Sequence, residues 1–400
     1  MKILFLTDNF PPEVNAPATR TYEHCKEWIK RGHSITVITC NPNFPHGKVY
    51  EGYQNKLYQT EYLDEIKVIR VWSYMTANKG FLKRILDYMS YAFFAFLFGL
   101  FQKTDVILAT SPQFFTTWAG WGLSKIKRKP WVFELRDIWP ESLKSVGAMK
   151  SEKILNILEK IELGLYRDAE RVVAVTNSFK ENLISRGIES NKVIVITNGS
   201  NNELFYSRPK DKVLLSKLKL DNKFIVGYIG THGMAHSLEF IINAIEKITD
   251  PSIHFLFIGD GAIKKELLIL ANKLNLENVT FLNPITKDEV PKYLSICDIS
   301  LAPLKKEDNF KTVIPSKIFE SAAMQKPILL GVEGEAQEII ETYDAGVCFI
   351  PEDEEDFLLK LTVIRDETKY KKYQEGSLRL AEDYNRKKLA NDMLNIIKEV

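Results

Sequence analysis

The feature that most constrains this chain is a rhythm. Short apolar runs of strand length recur along it, separated by stretches with helical spacing. In the first half the runs cover 3–6, 35–39, 68–71, 106–109, 131–135, 172–176 and 193–196. In the second half they cover 225–229, 254–258, 279–282, 299–303, 327–330 and 347–350. Continuous runs rich in Val and Ile fit strands covered on both faces in a parallel sheet. Helical spacing lies between them, as at 19–31, 152–167, 238–247 and 264–274. Such alternation predicts an α/β class with doubly wound sheets.

The rhythm restarts once. After Asn198-Gly199 comes the polar, basic segment SNNELFYSRPKDKVLLSKLKLDNK, then a fresh apolar run from Phe224. A chain of 400 residues is too long for one ordinary core. The break therefore predicts two Rossmann-like domains, 1–205 and 206–380. A closing amphipathic stretch, 381–400, is expected to pack back toward the first. Doubly wound domains bind ligands at the carboxyl ends of their strands, so the expected active site is a cleft between the two.

Charge narrows the partners. Lys and Arg number 54 against 52 Asp and Glu, a net charge of +2 that disfavours a dedicated nucleic-acid binder. The balance is uneven along the chain: residues 1–150 hold 20 basic and 13 acidic side chains. The same region contains ILDYMSYAFFAFLFGLF at 85–101, preceded by Lys79, Lys83 and Arg84. This run is near the lower length limit for a span and contains Asp87 and Ser90. It reads either as a helix in the membrane interface or as a buried helix of a large α/β domain. Basic residues beside it suit an anionic membrane face. The amino terminus shows no signal-peptide pattern, and the expected location is cytoplasmic, peripheral on the inner membrane. The four cysteines, Cys25, Cys40, Cys297 and Cys348, are far apart and read as free thiols rather than a zinc site.

Chemistry-bearing segments follow the strands. One run leads into Gly227-Tyr228-Ile229-Gly230-Thr231-His232-Gly233 and then a helix; another ends in Gly259-Asp260-Gly261 before Lys264 and Lys265. Small residues after a strand let the backbone approach a phosphate, and a helix start offers unpaired N–H groups. The segment Ile314-Pro315-Ser316-Lys317-Ile318-Phe319-Glu320 sets a loop end before a helix. Ser316 and nearby backbone N–H groups can hold diphosphate oxygens with Lys317 beside them, and Glu320 can accept both ribose hydroxyls. In the first half, Glu134-Leu135-Arg136-Asp137-Ile138-Trp139-Pro140-Glu141 ends a strand. Asp137 is the leading polar catalytic candidate, with Arg136 and Trp139 beside it. Asn15 and Arg20, in and after the first βα turn, are candidates for acceptor or phosphate contact.

Absent motifs exclude other chemistry. The first βα turn has no GxGxxG, which disfavours a dinucleotide dehydrogenase, and no GxxxxGK[ST] occurs. No two aspartates stand two apart, and no HExxH occurs. Metal-independent chemistry is expected, without a cofactor, the leaving-group charge being met by protein donors and dipoles.

These segments resemble, in order, those of the family 4 retaining glycosyltransferases with the GT-B fold. The matching pieces are ILFLTDNFPPE, Gly32-His33-Ser34-Ile35-Thr36-Val37-Ile38-Thr39, NGSNNELF, GDG with its following lysine, Asn283-Pro284, CDISLAP and PSKIFE…KP. Within the family, THGMAHSLEFI, ELRDIWPES and PSKIFE are most similar to bacterial O-antigen and capsule transferases, among them L-fucosamine transferases. The resemblance implies that Glu320, second glutamate of the family's Glu-x7-Glu motif, binds the donor ribose; the first would fall at Thr312. The family's Arg and Lys pair would fall near Gly230 and at His236, so both are lacking. Diphosphate contact then shifts to Thr231, His232 and the Gly233 backbone, His236 and Lys317, with His236 a second catalytic candidate that acts as a cation where the diphosphate raises its pKa. Gly259 belongs to the same glycine turns, and Gly261 with Asn283, Pro284 and Ile285 is implied to lie by the nucleobase. The implied donor is a UDP-sugar and the implied acceptor a polyprenyl-diphosphate-linked glycan. Two other readings remain beside it: a GT-B epimerase acting on UDP-GlcNAc, and a non-catalytic nucleotide-sugar-binding subunit. Nothing in the sequence assigns an oligomeric state.

Overall fold

The computed structural model describes residues 1–44, 47–76, 81–111, 113–138 and 151–400. The candidate Trp139 and the basic Lys79 lie outside the described residues. The chain divides into two compact units, one of 1–197 with 386–400 and one of 198–385. The borders expected from composition, 205/206 and 380/381, thus sit a few residues from the observed ones. The reason is that the second unit takes up the polar NGSNNELF segment: Phe205 is buried in a core cluster with Leu304, Phe319 and Leu380.

The first unit runs β1 (Lys2–Leu6), α1 (Ala16–Lys30), β2 (Ser34–Cys40), β3 (Tyr58–Leu63), β4 (Ile66–Val71), α2 (Phe81–Gly99), β5 (Val106–Thr110), α3 (Phe114–Lys127), β6 (Trp131–Leu135), α4 (Glu152–Asp168), β7 (Arg171–Ala174), α5 (Asn177–Ser185) and β8 (Val193–Val195). Its eight-stranded sheet has the order β3-β4-β2-β1-β5-β6-β7-β8. All neighbours are parallel except β3 against β4. The β3 residues YQTEYL are absent from the apolar runs because they alternate, half-buried then exposed, as suits an edge strand.

Asn15 starts α1 by accepting a hydrogen bond from the Ala18 N–H at 2.9 Å, and Pro17 stands in the first turn, where its missing N–H costs nothing. The buried side of α1 carries Ala18, Thr21, Cys25 and Trp28. Helix α2 packs on α3 at small residues: a Cβ on Gly99 would meet Leu123, and one on Gly122 would meet Phe96. Its inner face (Tyr91, Ala92, Ala95) is buried, whereas Leu86, Met89 and Phe93 stand exposed on the other. One face of this helix is core and the other is apolar surface. Among the described residues no helix is long and apolar enough to cross a membrane.

The second unit runs α6 (Lys212–Leu218), β9 (Phe224–Ile229), α7 (Leu238–Ile245), β10 (Ile253–Ile258), α8 (Lys264–Lys273), β11 (Val279–Leu282), α9 (Val290–Ile296), β12 (Ile299–Pro303), α10 (Lys317–Ala323), β13 (Ile328–Gly331), α11 (Glu335–Tyr343), β14 (Gly346–Cys348), α12 (Glu354–Ile364) and α13 (Glu367–Asp383). Its six-stranded sheet is parallel throughout, in the order β11-β10-β9-β12-β13-β14. The last helix, α14 (Arg386–Lys398), belongs to the first unit, where Leu389, Met393, Leu394, Ile396 and Ile397 join Phe5 and Trp28 in one core cluster. Each sheet reverses its winding once, between β1 and β5 in the first unit and between β9 and β12 in the second. Helices on the two sides of such a point diverge and leave a crevice at the carboxyl ends of the strands.

Candidate anion-binding site at the second switch point

The crevice between β9 and β12 begins with backbone that only glycine permits. Gly230 and Gly259 have φ of 154° and 148°, and a Cβ on Gly259 would come within 1.9 Å of the Gly230 carbonyl oxygen. A Cβ on Gly261 would likewise run into the His232 carbonyl at 2.3 Å. The two glycine turns are therefore packed face to face. The Gly230 N–H donates to the Ile258 carbonyl at 2.9 Å and the His232 N–H to the Asp260 carbonyl at 2.8 Å. Lys264, from the first turn of α8, ties the rim by donating to the carbonyls of Gly259 and Leu282 at 2.7 and 3.0 Å.

Lys317 opens α10 and reaches across to β9. Its Nζ lies 3.7 Å from the centroid of the Tyr228 ring and 3.1 Å from where a Gly230 Cβ would stand. The residue is half-buried along its length, but Nζ is shut off from solvent and has no hydrogen-bond partner. Burial holds the ammonium pKa down at about 7, with Glu320 pulling weakly the other way. Two histidines complete the cradle. His232 is fully buried with neither ring nitrogen bonded, and His236 leaves Nδ1 without a partner. Burial pushes both down to about 4; the Lys317 charge adds to this, and for His236 a hydrogen bond to the Pro303 carbonyl opposes it. His236 is thus neutral at pH 7 in the free protein. The cause is a low-dielectric pocket beside another positive group, so a charged His236 would need the diphosphate itself to raise its pKa. Four side-chain nitrogens left without partners in one crevice, Lys317 Nζ, both of His232 and Nδ1 of His236, form a place for an anion. Lys317 alone keeps a buried donor unsatisfied, at a cost on the order of 1–3 kcal/mol.

The structure brings most of the expected donor-side residues to this crevice. Gly230, Thr231, His232, Gly233 and His236 form the loop after β9; Gly259 and Gly261 the loop after β10; Pro315, Ser316, Lys317 and Glu320 the entry to α10. Asn283, Pro284 and Ile285 follow β11, with the Asn283 amide oxygen 3.3 Å from the Lys264 Nζ. Ser316 makes no side-chain cap. Glu320 is mostly buried and paired with Lys287, whose Nζ stands 4.9 Å over the Phe205 ring. Sequence reasoning did not find Tyr228, Lys264 or Lys287 as site residues; of these only Lys264 carried a signal, its place just after GDG.

The expected acceptor-side residues are in the first unit and behave differently. Arg20 is buried; its Nε is 3.0 Å from Glu134 Oε1, and Nη1 and Nη2 donate to the carbonyls of Thr197 and Ile196. Arg20 is therefore an internal strut, not an exposed contact for acceptor or phosphate: a guanidinium this deep needs a built-in carboxylate. Asn15 caps α1 and also donates to the Asn9 amide oxygen at 2.6 Å. Arg136 has Nη1 buried without a partner, and burial lowers its pKa to about 10. The Arg136 and Asp137 N–H groups both donate to the Ser111 hydroxyl, at 2.8 and 3.3 Å, which fixes the turn after β6. Among the described residues no group of three His, Cys, Asp or Glu is placed to hold a metal ion.

Comparison with known proteins agrees with this arrangement. Residues 17–204 match the family model described as Glycosyltransferase Family 4, and residues 211–378 match Glycosyl transferases group 1. The colanic acid biosynthesis glycosyl transferase WcaI of Escherichia coli K12 is 27% identical over 364 residues, covering 88% of this chain and 89% of WcaI. The sucrose-phosphate synthase of Thermosynechococcus elongatus has the same fold, with a TM-score of 0.79 at 15% identity over 100% of this chain and 98% of that one. Anabaena HepE, solved with UDP-glucose, gives 0.73 at 20% identity over 100% of both chains. With two α/β units, a glycine-lined anion cradle and glycosyltransferase matches over both halves, the chain belongs to the family 4 glycosyltransferases of the GT-B fold.

Proposed function

We propose that this glycosyltransferase moves a sugar from a UDP-sugar to a lipid-linked glycan in surface polysaccharide synthesis, with retention at the anomeric carbon. The observation that carries the donor assignment is the unpaired Lys317 Nζ beside Gly230, with the unpaired His232 ring and the unpaired Nδ1 of His236 in the same crevice. A diphosphate supplies the acceptors these groups lack and raises the Lys317 pKa above 7, so that the ammonium is fully charged in the complex. Glu320 accepts the ribose hydroxyls, exchanging Lys287 for them. The UDP of HepE and the polysaccharide role in the name of WcaI support this reading. The subgroup resemblance makes an N-acetylated hexosamine or 6-deoxy sugar, such as an L-fucosamine derivative, the first donor to try.

In the transfer step the bond from the anomeric carbon to the β-phosphate oxygen breaks and UDP leaves with the electron pair. The acceptor oxygen bonds to that carbon on the same face, and its proton passes to the departing phosphate oxygen. No metal is called on, because Lys317 and the backbone donors meet the developing charge. The acceptor is a glycan on polyprenyl diphosphate at the cytoplasmic face of the inner membrane. The exposed Leu86, Met89 and Phe93 on α2, with Lys83 and Arg84 exposed at its start, support contact with an anionic membrane there. Transfer of radiolabelled sugar from UDP-linked donors, N-acetylated ones included, to membrane-lipid acceptors tests the reaction. No transfer from any donor, or product formed without acceptor, overturns it.

A further inference from the structure

One aromatic ring underlies the whole anion cradle of the second unit. Tyr228 stands near the end of β9 and is fully buried. The Lys317 Nζ lies over its ring, 3.7 Å from the centroid. The rings of His232 and His236 are 5.8 and 6.1 Å away, centroid to centroid. The Tyr228 hydroxyl donates to the Thr231 carbonyl at 2.6 Å. From β10, Phe257 packs on the same ring at 6.1 Å. One side chain thus meets the cation, both imidazoles and the backbone of the turn after β9.

The two ends of this side chain do different work. A buried ammonium is attracted to the negative face of an aromatic ring, more strongly where water is excluded. Nζ has no hydrogen-bond acceptor, so the ring face takes that place and holds it 3.1 Å from where a Gly230 Cβ would stand. A ring steadies a cation without neutralising it, which a carboxylate could not do, and leaves the full charge for a phosphate. The hydroxyl acts on the loop. A carbonyl oxygen turned into the crevice would repel a phosphate, and the bond to the phenol ties up the Thr231 carbonyl. Burial pushes the phenol well above its ordinary pKa, so it stays a donor at neutral and mildly alkaline pH.

Other titratable groups surround the ammonium without bonding it. On α10 itself Glu320 draws its pKa up, and that carboxylate is paired with Lys287. In the turn after β9, His232 and His236 are held neutral by burial, with the Lys317 charge adding to this; His232 also feels Lys264 and Asp260.

We propose that Tyr228 is a positioning residue for the donor diphosphate: its ring holds the Lys317 ammonium toward the phosphate, and its hydroxyl keeps the Thr231 carbonyl from facing that phosphate. The proposal rests on the donor reading above and adds a residue that acts through Lys317 and Thr231.

The test is calorimetry of UDP binding to the full chain between about pH 6 and 9. Wild type, Tyr228→Phe, Tyr228→Leu and Lys317→Met are compared. The phosphate of UDP itself titrates near pH 6, and the Lys317→Met profile reports that ionisation so that it can be subtracted. Wild type is expected to lose affinity above a break near pH 7, where the ammonium deprotonates. Tyr228→Phe keeps the ring and loses the hydroxyl, so affinity should fall about three- to tenfold at every pH with the break unmoved. Tyr228→Leu removes the ring as well, and the break should move down by about one pH unit. A tyrosine that merely supports the fold would change affinity or stability and leave the break in place. If Tyr228→Leu fails to fold, Tyr228→Phe made with mono-, di- and trifluorinated phenylalanine decides the matter. Fluorine drains the ring face at nearly constant shape, and the break should move down with each atom added.

The proposal falls if the break stays in place in Tyr228→Leu or along the fluorinated series, or if Tyr228→Phe binds UDP like wild type. The donor reading fails separately. Wild type that binds no UDP, or Lys317→Met that binds it equally well, removes the diphosphate from this crevice and the role of Tyr228 with it. UDP binding that depends on Lys317 but has an unmoved break defeats the role of Tyr228 alone.

Discussion

Two buried cations, one in each unit, carry opposite instructions. Arg20 has its counter-charge built in: Glu134, equally buried, sits 3.0 Å away, and two backbone carbonyls take the remaining guanidinium donors. Lys317 has a ring face beneath it and no acceptor. A satisfied buried ion pair supports a fold; an unsatisfied buried ammonium weakens one and waits for a ligand. The difference teaches that burial alone does not mark a functional cation. What marks it is the missing partner.

The comparison can be broken from either side. The largest effect is expected at Arg20→Ala, which leaves Glu134 charged, buried and alone, and should cost about 3–5 kcal/mol of first-unit stability in denaturant unfolding. Adding Glu134→Gln should recover part of that loss; if the single variant is as stable as wild type, the pair is not structural. Lys317→Met should act in the reverse direction. It should weaken UDP binding by about 10- to 100-fold in calorimetry, while raising thermal stability. The sign of the second effect follows from linkage. The native group titrates near 7 and a free lysine near 10.5, so between these values the unfolded chain holds more protons. The penalty is therefore complete below pH 7, shrinks as pH rises, and is gone above about 10.5. The gain in melting temperature from Lys317→Met should be largest at pH 7 and below, and absent at alkaline pH.

A smaller effect sharpens the same contrast. If diphosphate lifts the Lys317 pKa, binding above pH 7 takes up a proton, and UDP affinity should fall by up to about tenfold per pH unit from pH 7 upward. Calorimetry in two buffers of different ionisation enthalpy reads that proton directly, and a pH-independent affinity in wild type would remove Lys317 from the site. The smallest expected change is Asn15→Ala, which removes a helix cap and should cost about 1 kcal/mol with UDP affinity unaltered.

Most of the architecture was legible because parallel strands covered on both faces leave continuous apolar runs. The edge strand Tyr58–Leu63 was not, because it is covered on one side and alternates. The donor site was legible as a set of segments, PSKIFE, GDG and the GYIGTHG turn, since each needs its small or charged residue next to a strand end. What the sequence hid was partnership. Arg20 and Glu134 are 114 positions apart, and nothing local to Arg20 separates a strut from a ligand-binding arginine. The burial that keeps His236 neutral in the free protein was hidden as well, because no motif records it.

Helix α14 is distant in sequence from the unit it completes. The Trp28 indole N–H donates to the Ala390 carbonyl at 2.7 Å, Arg386 pairs with Glu23, and five apolar side chains of the helix close the core beneath β1. The order of synthesis then differs from the order of the units. Everything needed for 198–385 emerges from the ribosome before the segment that seals the first unit does. The nucleotide half can finish folding while the earlier-made half still exposes the floor around Trp28 and Phe5. The amino-terminal half is in this sense the last to be finished, and a nascent chain stalled before residue 386 would carry an open hydrophobic seam, a natural target for chaperone capture or degradation.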